Sequence, residues 1–208
     1  MKFIQKQKEP SSLTQHRATS HANYVNYQKK DDLRKALLSE QGNICCYCMQ
    51  RIKEDKMKIE HWKSQSNYPQ LQLIYNNLMG VCRGNEGQPK KLQHCDTSKA
   101  DYQITINPTH INCEQLTRFS ISGEIISDNE DIQKDLNITL NLNTQILVKN
   151  RQFILDEALR DFYQRYPKGT WTKAIIQREI NKWINPPYRE YCQIVIFYLR
   201  KKLSKCKN

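Results

Sequence analysis

The sequence lacks any long apolar run. No segment approaches the roughly 18 apolar residues that a membrane-spanning helix needs. The opening residues Met1-Lys2-Phe3-Ile4-Gln5-Lys6 are not followed by the apolar core of a signal peptide. An internal repeat is absent as well. We therefore expect a soluble, cytoplasmic protein, whose 208 residues can bury one ordinary core, or one core with a small module packed on it.

Acidic residues are scarce relative to basic ones. The chain has 21 Asp and Glu against 33 Lys and Arg, a formal net charge of +12. Such an excess attracts polyanions, because neutralised phosphates release their counterions. A basic balance can also serve solubility alone. Charge therefore makes nucleic acid the first partner to test but does not decide the function.

The eight cysteines are clustered, with five of them between Cys45 and Cys95. In a reducing compartment such clustering indicates a metal site rather than disulfides. The Cys45-x-x-Cys48 turn, with Cys82 and Cys95 downstream, predicts four thiolate ligands around one tetrahedral zinc ion. A redox role for the same turn would require a thioredoxin-like βαβ pattern, which the sequence lacks.

Two alternatives for the zinc ligands remain open. His94 competes with Cys95, and Cys46 competes with Cys45, although Cys46-x-Cys48 is a poorer spacing for a tetrahedral ion. The surrounding segment is polar and rich in turns, so zinc would supply on the order of 10 kcal/mol of folding free energy. This zinc would be structural. The other cysteines are expected to be buried or incidental thiols: Cys113, Cys192 and Cys206.

Hydrophobic patterning divides the chain into four segments of an α+β protein. An N-terminal arm and helix occupy 1–42, and the zinc module occupies 43–101 with a strand at 57–61. A strand-rich connector at 102–143 has predicted strands at 103–106 and in a hairpin around Gly123, and 144–208 is a helical region. The helices of this region are predicted within 146–163, 173–184 and 188–203. Its basic tail, which includes Lys207, is either a solvated helix end or a phosphate-facing patch, and we expect the solvated end.

Polar groups of catalytic type lie between and after the cysteine pairs. Glu60-His61 and Asn77-Leu78 separate the pairs, and Asp96-x-x-Lys99 follows the last cysteine. This order resembles the HNH nucleases, also called His-Me finger or ββα-metal nucleases. The resemblance implies a zinc-stapled ββα-metal module that hydrolyses phosphodiester bonds.

Each of these residues has an expected role in that chemistry. His61 would take the proton from the attacking water, as its near-neutral pKa allows. Glu60 and Asp96 would bind one catalytic Mg²⁺ or Mn²⁺. Asn77 would orient His61 by a hydrogen bond, and Lys99 would contact the phosphate. Taken singly, each has a simpler explanation, such as a turn residue at Asn77 or a helix cap at Asp96; their joint order favours the nuclease.

The resemblance extends over most of the chain to the PtuB family. The residues that carry it are Ile4-Gln5-Lys6, Glu9-Pro10, Leu37 to Gly42, Cys45-Cys46-Tyr47-Cys48, Ile59-Glu60-His61-Trp62, Gln65-Ser66, Asn77 to Cys82, His94 to Lys99, Ile106-Asn107-Pro108 and Leu140 to Asn143. Two positions depart from the family pattern. Ser64 stands where proline is usual, and Asp96 replaces the usual His or Asn, which would alter the metal preference.

The resemblance implies a place in anti-phage defence. PtuB proteins are effector nucleases of the Septu system, and close relatives accompany retrons. The expected partners are the ATPase PtuA, a DNA or RNA substrate, and a retron reverse transcriptase with its msDNA. Two alternatives are the same chemistry on RNA such as tRNA, and a zinc-stapled nucleic-acid-binding adaptor without turnover.

Overall fold

A computed structural model describes residues 1–206 of the chain. Lys207, part of the predicted basic tail, lies outside the described residues. The first structured element is the short helix α1, Ser11–Arg17, which begins after Pro10 and buries Leu13. The sequence was expected to form an extended arm here. A single buried leucine in a polar stretch gives too weak a periodic pattern to predict a helix.

Helix α2, Lys30–Glu40, confirms the helix predicted near Asp31. Leu33 and Leu37 bury one face of it, and the two aspartates of its first turn suit the positive end of the helix dipole. The chain turns out of the helix at Gly42, whose φ of +57° is a left-handed conformation that glycine adopts without strain.

Two antiparallel strands follow, β1 (Met57–His61) and β2 (Leu78–Cys82), paired so that Glu60 faces Met79. A two-stranded ribbon is weak by itself. Here Gln41, at the end of α2, supplies the missing neighbour: its side chain accepts from Gly80 N at 2.6 Å and donates to Gly80 O at 2.8 Å. Helix α3, Asp96–Lys99, comes after the second strand and a glycine-containing loop.

The connector contains less β-structure than its sequence predicts. The hairpin around Gly123 is confirmed, but its strands are only β3 (Arg118–Phe119) and β4 (Ile125–Ile126). Helix α4 (Glu130–Lys134) continues into a π-helical turn at Asp135–Thr139. The predicted strand at 103–106 was wrong, because the Asp135 carboxylate accepts from the backbone N–H of both Thr105 and Ile106, so these donors pair with a side chain and not with a strand.

Three helices complete the described part of the chain: α5 (Gln145–Arg165), α6 (Lys173–Ile184) and α7 (Cys192–Lys205). All three were predicted, although α7 begins later than expected. Tyr191 adopts a left-handed φ of 52° just before it and donates its N–H to Met49 O at 3.0 Å. The helices therefore pack on the cysteine module as one continuous core. Within residues 1–206, no helix is long and apolar enough to cross a membrane.

A buried arginine joins the connector to α5. Arg151 is 1% exposed and donates to Gly123 O at 2.5 Å, Leu142 O at 2.8 Å and Asn143 Oδ1 at 2.9 Å. Burial lowers the pKa of its guanidinium to about 10. The sequence does not indicate this role of Arg151, because its helical position is equally typical of an exposed arginine.

Candidate functional site

Four buried thiols form one cluster. The Sγ atoms of Cys45, Cys48, Cys82 and Cys95 all lie within 4.8 Å of one another, with 3.9 Å between Cys45 and Cys95 and 3.8 Å between Cys48 and Cys82. A tetrahedral ion with metal–sulfur bonds of about 2.3 Å places its sulfur ligands about 3.8 Å apart. The cluster therefore fits a tetrahedral metal ion such as zinc.

The structure also places the two competing ligands. Cys46 lies outside the four-thiol cluster, and its backbone N–H donates to Gly80 O at 3.1 Å. His94 is a neighbour of the cluster, with Nδ1 3.2 Å from Cys95 Sγ and 4.0 Å from Cys82 Sγ. Cys45 and Cys95 thus complete the thiol tetrahedron, and His94 lies against its edge.

The surroundings of the cluster favour the thiolate form of Cys45. Burial raises the pKa of the Cys45 thiol, but hydrogen bonds from the surrounding thiols more than offset it and hold this pKa well below the usual range. Thiolate is the form of cysteine that binds a metal.

Two carboxylates meet beside the cluster. Glu60, near the end of β1, is 2% exposed, and the carboxylate of Asp96, at the start of α3, lies within hydrogen-bonding reach of it. Tyr47 donates its hydroxyl to Glu60 Oε1 at 2.7 Å, and Lys99 Nζ lies 2.7 Å from the same oxygen. Lys58 Nζ lies 2.5 Å from Asp96 Oδ2.

The pKa values of the two carboxyl groups are shifted in opposite directions. Burial, together with the hydrogen bond to Asp96, raises the pKa of Glu60 to about 8 although Lys99 opposes the shift. Burial also raises the pKa of Asp96, but hydrogen bonds with Glu60 and Lys58 outweigh it and leave this pKa below its usual value. The two opposite shifts favour a hydrogen shared between the carboxyl groups, and a divalent cation could take its place.

The His61 ring is held from two directions. Its Nε2 lies 3.0 Å from Gln72 O, and since a carbonyl only accepts, Nε2 carries the hydrogen. The Tyr24 ring packs edge-on against it, with centroids 4.5 Å apart and planes at 87°. Burial lowers the pKa of His61, so the imidazole is neutral at pH 7 and Nδ1 keeps its lone pair. The negative charge of Asp96 acts in the opposite direction and offsets part of this lowering of the His61 pKa.

Asn77 fixes the loop after His61 rather than the imidazole itself. Its side chain accepts from Lys63 N at 2.8 Å and donates to Lys63 O at 3.0 Å and Leu71 O at 3.2 Å. The expected hydrogen bond from Asn77 to His61 is thus replaced by a clamp on the loop 62–72. That loop supplies the Gln72 carbonyl, so Asn77 supports His61 indirectly.

Replacing Asn77 by alanine removes this clamp. We expect Asn77→Ala to destabilise the fold by about 2–3 kcal/mol, because three hydrogen bonds of the buried amide are lost. Chemical denaturation measures the change. The exposed neighbour gives the matched control, Asn76→Ala, which should unfold within about 0.5 kcal/mol of the unmodified protein. Equal stability of the two variants would contradict the role of the clamp.

Lys99 occupies a different environment from the one expected. It was predicted to contact a phosphate, but it is 1% exposed, and its ammonium binds Glu60 and donates to His61 O at 3.1 Å. Tyr47, Tyr24 and Gln72 were not predicted from the sequence. Tyr47 could have been noticed inside the Cys-Cys-Tyr-Cys turn, whereas Gln72 acts through its backbone, for which the sequence carries no signal.

Comparison with known proteins identifies two relatives. No family model matches the chain. It is 32% identical over 98 residues to a retron Vc95 protein of Vibrio cholerae serotype O1 biovar El Tor assigned as an HNH endonuclease, covering 46% of this chain and 45% of that protein. It is 35% identical over 82 residues to the Septu protein PtuB of Bacillus thuringiensis, covering 38% and 30%. The matched regions thus span less than half the length of either relative. These relatives confirm the resemblance of the chain to the PtuB-like HNH endonucleases.

Proposed function

We propose that this chain is a metal-dependent HNH endonuclease that hydrolyses phosphodiester bonds of nucleic acid. The observation that carries the proposal is the buried meeting of Glu60 and Asp96 next to His61, on strands and a helix tied together by four cysteines. In this proposal β1, β2 and α3 are the ββα-metal module, and the thiol cluster holds a structural zinc ion.

The two carboxylates would hold a catalytic cation. Mg²⁺ and Mn²⁺ suit such oxygen ligands, and the bound ion would supply positive charge to the scissile phosphate and the leaving oxygen. Lys99 keeps Glu60 in place through its buried ion pair. Lys58 is half-buried, so it can release Asp96 and turn toward solvent when the cation binds.

His61 would act as the general base. Because Nε2–H donates to Gln72 O, Nδ1 is the nitrogen that can accept a proton from water. Tyr24 and the Gln72 carbonyl restrain the ring, which keeps that nitrogen in one orientation. The loop clamp by Asn77 holds the carbonyl in turn.

Substrate and partners follow from charge and from the relatives. The net charge of +12 favours a nucleic acid, and a water nucleophile makes no use of a 2′-hydroxyl, so the chemistry serves DNA and RNA alike. By analogy with the Septu and retron relatives, the chain would work in anti-phage defence with an ATPase of the PtuA type, and with a retron reverse transcriptase and its msDNA where one is present.

Cleavage by the purified protein tests this proposal. With Mg²⁺ or Mn²⁺ we expect the chain, alone or with its ATPase, to cut nucleic acid, and His61→Ala to lower the rate by about 100- to 10,000-fold, the range typical of a general base. An exposed histidine gives the control, His110→Ala, which should cut at the unmodified rate. Binding without cleavage in both forms would instead support a nucleic-acid adaptor.

A further inference from the structure

The loop that follows His61 carries an aromatic and cationic group. The Lys63 ammonium lies 4.8 Å from the centroid of the Trp62 ring and 5.2 Å from that of Tyr68. The Trp62 indole N–H donates to Ile106 O at 3.0 Å, and the Lys63 backbone is held at both its N–H and its carbonyl by Asn77. The group is therefore fixed relative to the imidazole.

Lys63 differs from the other lysines of the site in its partners. Lys58 and Lys99 each form an ion pair with a carboxylate, Asp96 and Glu60 respectively. Within residues 1–206, Lys63 forms no ion pair, and its polar partner is the neutral amide of Gln103 at 3.3 Å. Its positive charge is thus not cancelled locally and is available to a phosphate.

A further aromatic ring lies at the same edge. Tyr102 is 71% exposed. It is flanked by Asp101, whose carbonyl accepts from Asn67 Nδ2 at 3.0 Å, and by Gln103, which hydrogen-bonds the Tyr68 hydroxyl. These bonds tie the residues on either side of Tyr102 to the loop that carries Lys63. An exposed aromatic ring so close to a candidate active site has an open face on which a planar group can stack.

We propose that Trp62, Lys63, Tyr68 and Tyr102 form a stacking surface that binds unpaired nucleotides beside the scissile phosphate. This inference rests on the proposed nuclease function and names its substrate class, single-stranded nucleic acid or the unpaired loops of a folded one. Aromatic rings bind bases by their faces, which duplex pairing and stacking keep covered, while the lysine binds the backbone. A surface that bound nucleic acid by charge alone would not distinguish single strands from a duplex.

Binding by the zinc-loaded His61→Ala chain tests the inference without cleavage. Fluorescence anisotropy would compare labelled single-stranded DNA of about 20 nucleotides, RNA of the same sequence, and the corresponding DNA duplex. We expect at least one single strand to bind about tenfold more tightly than the duplex. Added Tyr102→Ala should weaken that binding about fivefold or more, while Tyr102→Phe, which keeps the ring, should not. Neither change affects a buried side chain.

A charge-matched pair tests the lysine. Lys63→Gln should reduce the salt dependence of binding by about one counterion, whereas Lys201→Gln, on the exposed face of α7, should leave it unchanged. Equal affinity for duplex and single strands, equal binding by Tyr102→Ala and Tyr102→Phe, or no binding to any of the three nucleic acids would overturn the inference.

Parallel cleavage by the protein with its histidine intact separates this inference from the proposed function. Cutting of duplex and single strands at equal rates would overturn the stacking surface and leave the nuclease in place. Strand-selective binding with no cutting of any substrate would overturn the nuclease and leave the surface. The relative affinities for DNA and RNA single strands show whether the sugar matters.

Discussion

Cys45→Ala is expected to leave the chain without its zinc and largely unfolded at room temperature, whereas Cys46→Ala keeps both the metal and the fold. The two thiols are adjacent and both buried, but of the two only Cys45 belongs to the four-thiol cluster. A structural zinc site contributes on the order of 10 kcal/mol, which is comparable with the whole stability of a domain. Metal analysis of the purified variants and thermal unfolding followed by circular dichroism measure both effects.

The Cys46 variant serves as the control for truncating a buried thiol. We expect Cys46→Ala to lower the free energy of unfolding by about 1 kcal/mol, because the truncation leaves a small cavity. The variant should keep about one zinc per chain. Loss of zinc from both variants would make Cys46 a ligand. Retention of zinc by Cys45→Ala would show that His94, whose Nδ1 lies 3.2 Å from Cys95 Sγ, can replace a thiolate.

The cysteine module could be predicted because its constraints are local or chemically specific. A Cys-x-x-Cys turn with two more cysteines downstream has few solutions other than a tetrahedral ion, and the β1 pattern ends at the residues that matter, Glu60 and His61. The sequence could not show how the two-stranded ribbon of β1 and β2 is completed. Gln41 pairs with Gly80 across 39 residues, and no periodic pattern encodes a single side chain that replaces a strand.

The contacts around the imidazole were unpredictable for a similar reason. His61 is positioned by a backbone carbonyl, and any residue could supply it at position 72. The sequence shows only that Lys99 carries a positive charge, and this charge alone cannot distinguish a phosphate ligand from a lysine that neutralises a buried glutamate. The burial of the side chain distinguishes these two roles. A four-residue helix is too short to carry a sequence pattern that would predict the burial of its lysine.

The cysteines and the carboxylates are coupled through chain connectivity. Cys82 ends β2, whose partner strand carries Glu60, and Cys95 immediately precedes Asp96. Closing the thiol cluster therefore fixes the strand pair and the start of α3 at the same point. The acids are brought together although 36 positions separate them, and Lys58 and Lys99 reduce the repulsion that would otherwise push them apart.

Asp96→Asn is expected to abolish binding of the catalytic cation and to lower cleavage by about a thousandfold or more, while zinc content and melting temperature stay close to those of the unmodified protein. The loss corresponds to about 4 kcal/mol of transition-state stabilisation, a magnitude that metal ions supply in phosphodiester hydrolysis. Asparagine preserves the shape of the side chain, and Lys58, which is half-buried, can reach water once its partner is neutral. Glu60→Gln is a poorer test because it leaves the Lys99 ammonium buried without its carboxylate.

Manganese binding measured by electron paramagnetic resonance, together with initial cleavage rates, gives the two readouts for this variant. Asp101→Asn supplies the matched control, since that acid is exposed and only its backbone carbonyl has an assigned partner. It should bind manganese and cut at unchanged rates. If Asp96→Asn also kept its manganese affinity and its rate, the carboxylate pair would be a structural hydrogen bond, and the raised pKa of Glu60 would reflect burial rather than a cation site.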